Sequence, residues 1–450
     1  MKRILMICNY FAPRNEIASI RITKFAKYLI EAGYEVEVVT ENPGTDTKDT
    51  MLLEGVRDIP VHYAEKGAGY LALERFYNKF VKPFSDKKYA DLSSPKRYYI
   101  DKITGRREFL PFTVAYPFWG TLDHILFVSR QKSLFRSVKK YLRENAGRYD
   151  VCFSSYGEHF SHFCGLYVKK LYPHIRWIAD FRDPVYQVKF NPAPVKAYAK
   201  SFENKAFQNC DAIVAVTRGI LQLIPEKYRS KACELTNGFD ACDRRPAMPS
   251  SGLSKFSFCY TGRMYGGMRK ITRLFEAVAA LIDEGKIQRS DVEFHYAGTG
   301  YEVFAEQASA AGLREQCIDH GAVSHEQAMS LQGSSMFLVL SSWEFKAEPV
   351  GSLTGKVYEY MTAGKPIIAL IDGDMPGTEL TDIIRRGKLG VAYNEVHYET
   401  DFDALKDYLL GQYQRYKNGE PIEFSPDETV LAQFDYRNLT KHLITLMEDT

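Results

Sequence analysis

SLTGKVYEYMTAGKPIIAL, Ser352 to Leu370, is the stretch on which the reading of this chain turns. Lys356 and Glu359 stand about one helical turn apart, Ala363-Gly364 supplies a helix stop, and Pro366 opens the apolar strand IIAL. Ahead of it MFLVLSS, Met336 to Ser342, is a continuous apolar run of strand length, so the whole reads as strand, loop, helix and parallel strand. Ligands of such sheets sit at the carboxyl ends of the strands, against helix N-termini. Gly351, Ser352, Thr354 and Gly355 would set backbone N–H groups there beside the Lys356 ammonium, a seat for a phosphate or diphosphate. Glu359, one turn into the helix, is placed to accept two hydroxyl hydrogen bonds, as from a ribose. Taken alone, the pattern equally describes an ordinary α/β crossover with Glu359 on a solvated helix face.

The 450 residues are enough for two domains, each with its own core, and 45% hydrophobic with 26% charged residues is the composition of a soluble globular protein. No apolar run reaches the roughly 18 residues of a membrane span. The start, MKRILMICNYFAP, enters a strand rather than a cleavable leader, so a cytoplasmic location is expected. The eight cysteines form no CxxC pair and no cluster with histidine, which predicts buried reduced thiols and neither disulfides nor zinc. The net charge of +3 hides an asymmetry: residues 1–250 carry 40 Lys and Arg against 27 Asp and Glu, and residues 251–450 carry 19 against 29. A basic first half fits an anionic partner, whether a membrane surface, a lipid phosphate or nucleic acid, or else a merely solvated basic face.

KRILMIC is a short buried strand; the loop NYFAPRNEIAS leads to a helix with Ile22, Phe25, Ala26 and Leu29 at helical spacing, and EVEVVT is the next strand. The first loop lacks GxGxxG, so no dinucleotide cofactor is expected; Pro13, Ser19 and Arg21 stand where a cleft would be lined. Residues from about 66 to 130 break the rhythm. Between Lys66 and Phe109 there are 11 basic and 5 acidic residues interleaved with Tyr and Phe, the composition of a lipid-facing surface or of a helical insertion with solvated lysines. A single-strand nucleic-acid groove has similar ingredients, but no supporting motif or repeat accompanies them, and no nucleic acid is expected. VCFSS, the helix HFCGLYVKKL and the strand IRWIADF then deliver Arg182 and Asp183 to a carboxyl edge, with His159 and His162 near the same strand ends, as base, cap or packing residues. Asp180 and Asp183 are read as caps or partners of Arg182 and not as a metal site. A linker around SSGLSKF places a boundary near residue 250. Beyond it FSFCYTGR and VEFHYAGTG are strands ending in glycine turns, and Arg263 with Lys270 flanks a glycine-containing turn before a helix, a clamp suited to diphosphate.

In order and spacing, KRILMICNYFAP with SIRITKFAKYLIEAGYEVEVVT, then WIADFRDP, CDAIVAVT, LTNGFD, YTGR, HYAGTG, HGAVSHEQAMSLQGSS and TGKVYEYMTAGKPIIAL resemble the retaining GT-B glycosyltransferases, family 4-like, of the bacterial group that builds capsule, O-antigen and other surface polysaccharides. The resemblance implies an α/β GT-B architecture of two Rossmann-like parallel-sheet domains facing a cleft. It places an acceptor domain at 1–249 with its insertion at about 66–130, a nucleotide-sugar domain at 250–427, and a helix at 428–450 crossing back. It implies that Glu359 holds the ribose, that Arg263 and Lys270 grip the diphosphate, with Arg269 equally placed, and that the Ala322-Val323 turn meets the base. Thr354 and Lys356 complete this donor site. Arg182, Asp183 and His162 are the candidate catalytic residues, and Pro13, Ser19 and Arg21 the acceptor or cleft residues.

Two departures from the family pattern stand out. The frequent first Glu falls on Gly351, with Glu348 as the nearest substitute, and the His of a His-Asp pair is replaced in Arg182-Asp183. The expected reaction moves a sugar from a nucleotide diphosphate sugar to a hydroxyl of a lipid-linked or oligosaccharide acceptor, with neither metal nor cofactor, on a chain that also meets an anionic membrane surface. The alternatives are a GT-B nucleotide-sugar 2-epimerase and a non-catalytic nucleotide-sugar or glycan-binding scaffold.

Overall fold

The computed structural model describes residues 2–14, 17–44, 51–82, 98–100, 107–109, 116–183, 192–243, 255–264, 267, 269–344 and 353–448. They form two compact units. The first holds Met1–Val216, Ile220–Leu235 and His442–Thr450; the second holds Thr217–Gly219 and Thr236–Lys441. The chain therefore passes into the second unit at Thr236 and returns at His442, where the sequence reading set its divisions near 250 and 428. Residues 250–254 of the expected linker SSGLSKF lie outside the described residues.

The first unit is built on strands β1 (Arg3–Cys8), β2 (Glu35–Glu41), β3 (Val61–Ala64), β6 (Val151–Tyr156), β7 (Arg176–Phe181), β8 (Ala212–Ala215) and β9 (Ala232–Glu234). They form one sheet in the order β3-β2-β1-β6-β7-β8-β9, every pairing parallel. Parallel strands are covered on both faces, which is why RILMIC and VCFSSY read as unbroken buried runs and not as alternations. Its helices include α1 (Ile17–Glu31), α2 (Ala68–Phe76), α3 (Tyr116–Asn145), α4 (His159–Leu171) and α5 (Ala193–Asn209). The described residues ahead of α3 also include the antiparallel pair β4 (Tyr98–Ile100) and β5 (Arg107–Phe109).

The second unit repeats the plan with β10 (Phe256–Thr261), β11 (Val292–Ala297), β12 (Cys317–Asp319), β13 (Phe337–Glu344), β14 (Ile367–Gly373) and β15 (Gly390–Asn394), in the order β12-β11-β10-β13-β14-β15 and again parallel. After α6 (Arg218–Leu223) the helices run α7 (Thr272–Asp283), α8 (Tyr301–Ala310), α9 (His325–Ser334), α10 (Lys356–Ala363), α11 (Glu379–Arg386), α12 (Tyr398–Lys417), α13 (Glu428–Ala432) and α14 (Tyr436–Glu448). One face of the sheet is aromatic, with Phe258 stacked between Phe294 and Phe337 at 5.0 and 5.3 Å and covered by α7, α8 and α12. The other face packs Leu338, Leu340 and Ile367 against Val357, Tyr360 and Met361 of α10. Gly364, at φ 64°, stops α10 in the left-handed conformation that glycine adopts without strain, and β14 begins three residues on. Helix α14 ends in the first unit, where Tyr34 donates to Glu448 at 2.8 Å and the Arg176 guanidinium to the Leu446 carbonyl at 2.7 Å. Both sheets reverse strand order beside a central strand, β1/β6 and β10/β13, which is where doubly wound sheets open for ligands. The eight cysteines are unpaired; five are buried and Cys242 is exposed.

Candidate functional site

At the carboxyl end of β10, Thr261 is followed by Gly262 at φ 139°. The Gly262 N–H donates to the Ala297 carbonyl at 2.8 Å, and its own carbonyl accepts from the Tyr296 hydroxyl at 2.9 Å. A Cβ on Gly298 would stand 2.0 Å from that carbonyl, and a Cβ on Gly262 would stand 2.9 Å from Cε of Lys356. Two glycines thus let the strand ends close up and let the first side chain of α10 lie across the backbone. Lys356 holds its Nζ 3.4 Å from the Thr261 hydroxyl and 3.8 Å from the Glu359 carboxylate. The buried Gln332 amide of α9 joins these groups, donating to Thr261 at 2.9 Å and to Glu359. Lys356 and Glu359 keep 26% and 21% of their side chains exposed, enough for both to meet a ligand from solvent. The sequence reading brought Lys356 and Glu359 together but missed Thr261 and Gln332; Gln332 sits near the end of a helix with no apolar stripe to mark its inward face.

Thr354 and Val323 are half-buried, Thr354 just before α10 and Val323 in the turn before α9, whose N-terminus is closed by a Ser324–Gln327 capping box. Gly351, Ser352 and Glu348 lie outside the described residues. Arg263 is exposed, and its side chain has no ion partner among the described residues. Lys270 donates its backbone N–H to Ser341 at 3.0 Å and pairs its ammonium with Asp372 at 2.6 Å. Its 57% exposure leaves that ammonium free to change partner. Arg269 lies over the Trp343 ring at 4.5 Å, a cation–π seat near the end of β13. Beside Lys270 is a pocket of about 210 Å³ lined by Arg273, Asp372, Tyr393 and Glu395 among others. Arg273 clamps Glu395 at 3.1 and 2.5 Å, and the Tyr393 hydroxyl donates to the same carboxylate at 2.8 Å.

The last residue of β13, Glu344, also escaped the sequence reading. Burial, and then the charge of Glu379, push its carboxyl up to about 7. Its signal was an acidic residue closing an otherwise apolar strand.

The candidates of the first unit divide. Arg182, beyond β7, lies against Gly157 and directs Nη1 to the Ala18 carbonyl at 3.4 Å, while Asp183 is exposed. Pro13 is half-buried in the loop after β1. Arg21, read as a cleft residue, is 1% exposed and forks onto Asp180 at 3.1 and 2.9 Å, with a further bond to the Leu235 carbonyl. Ser155 supplies another bond to Asp180, at 2.8 Å. Arg21 is therefore an internal tie, because a guanidinium taken from water needs this many partners. Ser19 is buried beside it in the chain. His162, read as a candidate base, has no exposed surface: it stacks on Tyr156, meets Ser154 Oγ at 2.9 Å through Nδ1, and burial depresses it to about 3. That environment makes it a neutral packing residue.

Missed altogether was a polar network at the ends of β1, β2 and β6. Glu158 accepts from Tyr10 at 2.7 Å and from Arg130 at 2.8 Å, and Arg130 reaches Glu41 at 2.6 Å. The acidic residue just past VCFSSY was its only trace.

Comparison with known proteins places this geometry in context. Residues 255–409 match the family model described as Glycosyl transferases group 1. A comparison with curated protein sequences found no match. Among solved structures, sucrose-phosphate synthase from Thermosynechococcus elongatus superposes with a TM-score of 0.58 at 13% identity, covering 99% of this chain and 98% of that one. Anabaena HepE, in complex with UDP and glucose, gives 0.57 at 11% identity over 100% of both chains. S. aureus TarM, a mutant in complex with fondaparinux, alpha-GlcNAc-glycerol and UDP, gives 0.54 at 11% identity, also over 100% of both. At such identities the likeness is one of fold. Residues 255–409 carry the sequence signature of the group 1 glycosyl transferases, within a chain whose two units have the GT-B fold.

Proposed function

We propose that this chain is a retaining glycosyltransferase that moves a sugar from a nucleotide diphosphate sugar to a hydroxyl of a lipid-linked glycan in surface polysaccharide synthesis, on the cytoplasmic side of the membrane. The observation that carries the reading is the Lys356–Glu359 pair at the β10/β13 reversal, with Lys356 laid over Gly262. It sets a cation for phosphate beside a carboxylate for paired hydroxyls in one partly open place. Breaking a glycosidic bond to a diphosphate leaves negative charge on the departing phosphate. Fixed cations aimed at that charge lower the barrier, commonly by several kcal/mol. Arg263, Lys356 and Lys270 are the groups for that task, so this mechanism calls on no metal. Lys270 swings from Asp372 to reach the phosphates. The solved neighbours with UDP make uridine nucleotides the first donors to try. The basic first half favours a lipid-phosphate acceptor.

The test is a thermal-shift screen of UDP-, GDP-, dTDP- and CMP-sugars, in which a ligand at 100 times its Kd adds about 2.7 kcal/mol of stability. The donor found this way should be hydrolysed slowly without acceptor, and Glu359→Ala and Lys270→Ala should abolish the hydrolysis. A flat response to every nucleotide sugar would remove the reading.

A further inference from the structure

The first unit presents a surface that the transfer chemistry does not use. Helix α2 continues without a break into the wider turn Tyr77–Val81. One stripe, Tyr70, Glu74, Tyr77 and Val81, faces inward: both tyrosines are buried, and the Tyr77 hydroxyl donates to Asp123 of α3. Stepping round the same axis at roughly 100° per residue, Ala72, Phe76 and Leu73 fall on one arc to the side of that stripe, and the wider turn brings Phe80 against Phe76. Leu73, Phe76 and Phe80 are 41%, 57% and 51% exposed, with the two phenylalanine rings 5.1 Å apart. Next to this arc stand Lys82, Arg75 and Lys79, all exposed, with the Lys79 ammonium 5.2 Å from the Phe80 ring. The only acidic residue in 66–82 is Glu74, and it is turned inward, bonded by Tyr70 at 2.8 Å and paired with Lys66 at 3.7 Å.

An apolar arc left in water beside a purely cationic flank has a specific complement. Aromatic side chains enter the acyl boundary of a bilayer while lysine and arginine stems run along it and deliver charge to phosphates. The basic bias of residues 1–250 has the same sign as this flank. We propose that α2 and the turn after it form a docking surface for an anionic phospholipid bilayer. No helix among the described residues is long and apolar enough to cross a membrane, and surface docking requires none. The proposal rests on the transferase reading only for its purpose, which is to present the first unit to a lipid-linked acceptor.

The full chain is sedimented with phosphatidylcholine vesicles, with and without phosphatidylglycerol at about one third of the lipid, at low and high salt. Binding is expected on the anionic vesicles and is expected to fall with salt. Phe76→Ser with Phe80→Ser should lower the partition coefficient about tenfold or more, and Lys79→Glu with Lys82→Glu at least tenfold. All four side chains are exposed, so the unfolding midpoint should not move; if the double Phe variant does not fold, Phe76→Ser alone carries the test. Wild-type protein that stays in the supernatant, or binding that survives both pairs of changes, overturns the proposal. So does self-association abolished by the Phe changes without any vesicle binding, which would assign the arc to a second copy. Vesicle binding needs no donor, so a failed donor screen with intact vesicle binding removes only the transferase reading, and the reverse removes only the docking surface.

Discussion

Glu359→Gln tests the site at its most informative atom. The substitution keeps the side-chain volume and leaves an acceptor for the Gln332 amide, but it removes the charge that faces solvent beside Lys356. The lost Lys356 contact, at 3.8 Å between side chains 26% and 21% exposed, is worth less than about 1 kcal/mol to folding. The effect on a donor should be larger. A carboxylate accepting two hydroxyls makes two charge-assisted bonds of about 1.5–3 kcal/mol each, whereas the amide makes neutral bonds of about 1 kcal/mol. The difference is about 1–4 kcal/mol, or roughly 5- to 800-fold in Kd. Calorimetric titration with the nucleotide sugar that shifts the wild-type melting point most, at matched folded fraction, reads this directly. A Kd within about threefold of wild type would refute the placing of the ribose hydroxyls on Glu359, since a group that touches no ligand changes affinity by less than about 0.7 kcal/mol.

Four further outcomes follow from the structure. His159 and His162 are buried neutral, both depressed to about 3, so their contribution is present above the unfolded value near 6.5 and is lost as pH falls below it. Denaturant unfolding of the first unit should lose about 2–3 kcal/mol between pH 7.5 and 5.5, and His159→Leu, which removes a ring with two unpartnered nitrogens, should halve that loss. The second unit runs the other way, because Glu344, raised to about 7, contributes most below its unfolded value near 4.3 and loses that contribution as pH rises through 7. Arg21→Met should cost about 3–5 kcal/mol by stranding Asp180, and adding Asp180→Leu should recover much of it; a double-variant loss equal to the sum of the two single-variant losses, read by denaturant unfolding, would show that the pair is not coupled. Gly298→Ala, whose Cβ would meet the Gly262 carbonyl at 2.0 Å with φ at 152°, should cost at least about 2 kcal/mol and weaken donor binding with it, as measured by melting point and titration.

The sheets were readable from the sequence because burial on both faces writes a parallel strand as an unbroken apolar run, and RILMIC, VCFSSY, FSFCYT and MFLVL are such runs. The crossover around α10 was readable because its stop is a glycine that the backbone requires at φ 64°. What the sequence did not carry was the direction of polar side chains. Arg21 and His162 lie near strand ends exactly as site residues would, and only the neighbours brought by distant segments, Asp180 for one and Tyr156 with Trp177 for the other, turn them into interior groups. Gln332 and Glu344 fail in the opposite sense, since nothing local distinguishes a buried amide or carboxyl from a solvated one.

The groups proposed to bind the donor differ in how each is held before a ligand arrives. Lys356 and Lys270 each rest against a carboxylate, Glu359 and Asp372, while Arg263 has no ion partner among the described residues. A cation held this way is oriented before any ligand arrives, and the tie is weak because Lys270 is more than half exposed. A diphosphate carries more charge than one carboxylate and binds through several oxygens, so it can take the ammonium from Asp372 at small cost. Glu359 cannot be displaced in that sense, because Gln332 holds it from the buried side while its charge still meets solvent. On the proposed function the two pairs would therefore divide the work: at one the cation would move to the ligand, and at the other the carboxylate would stay to receive it.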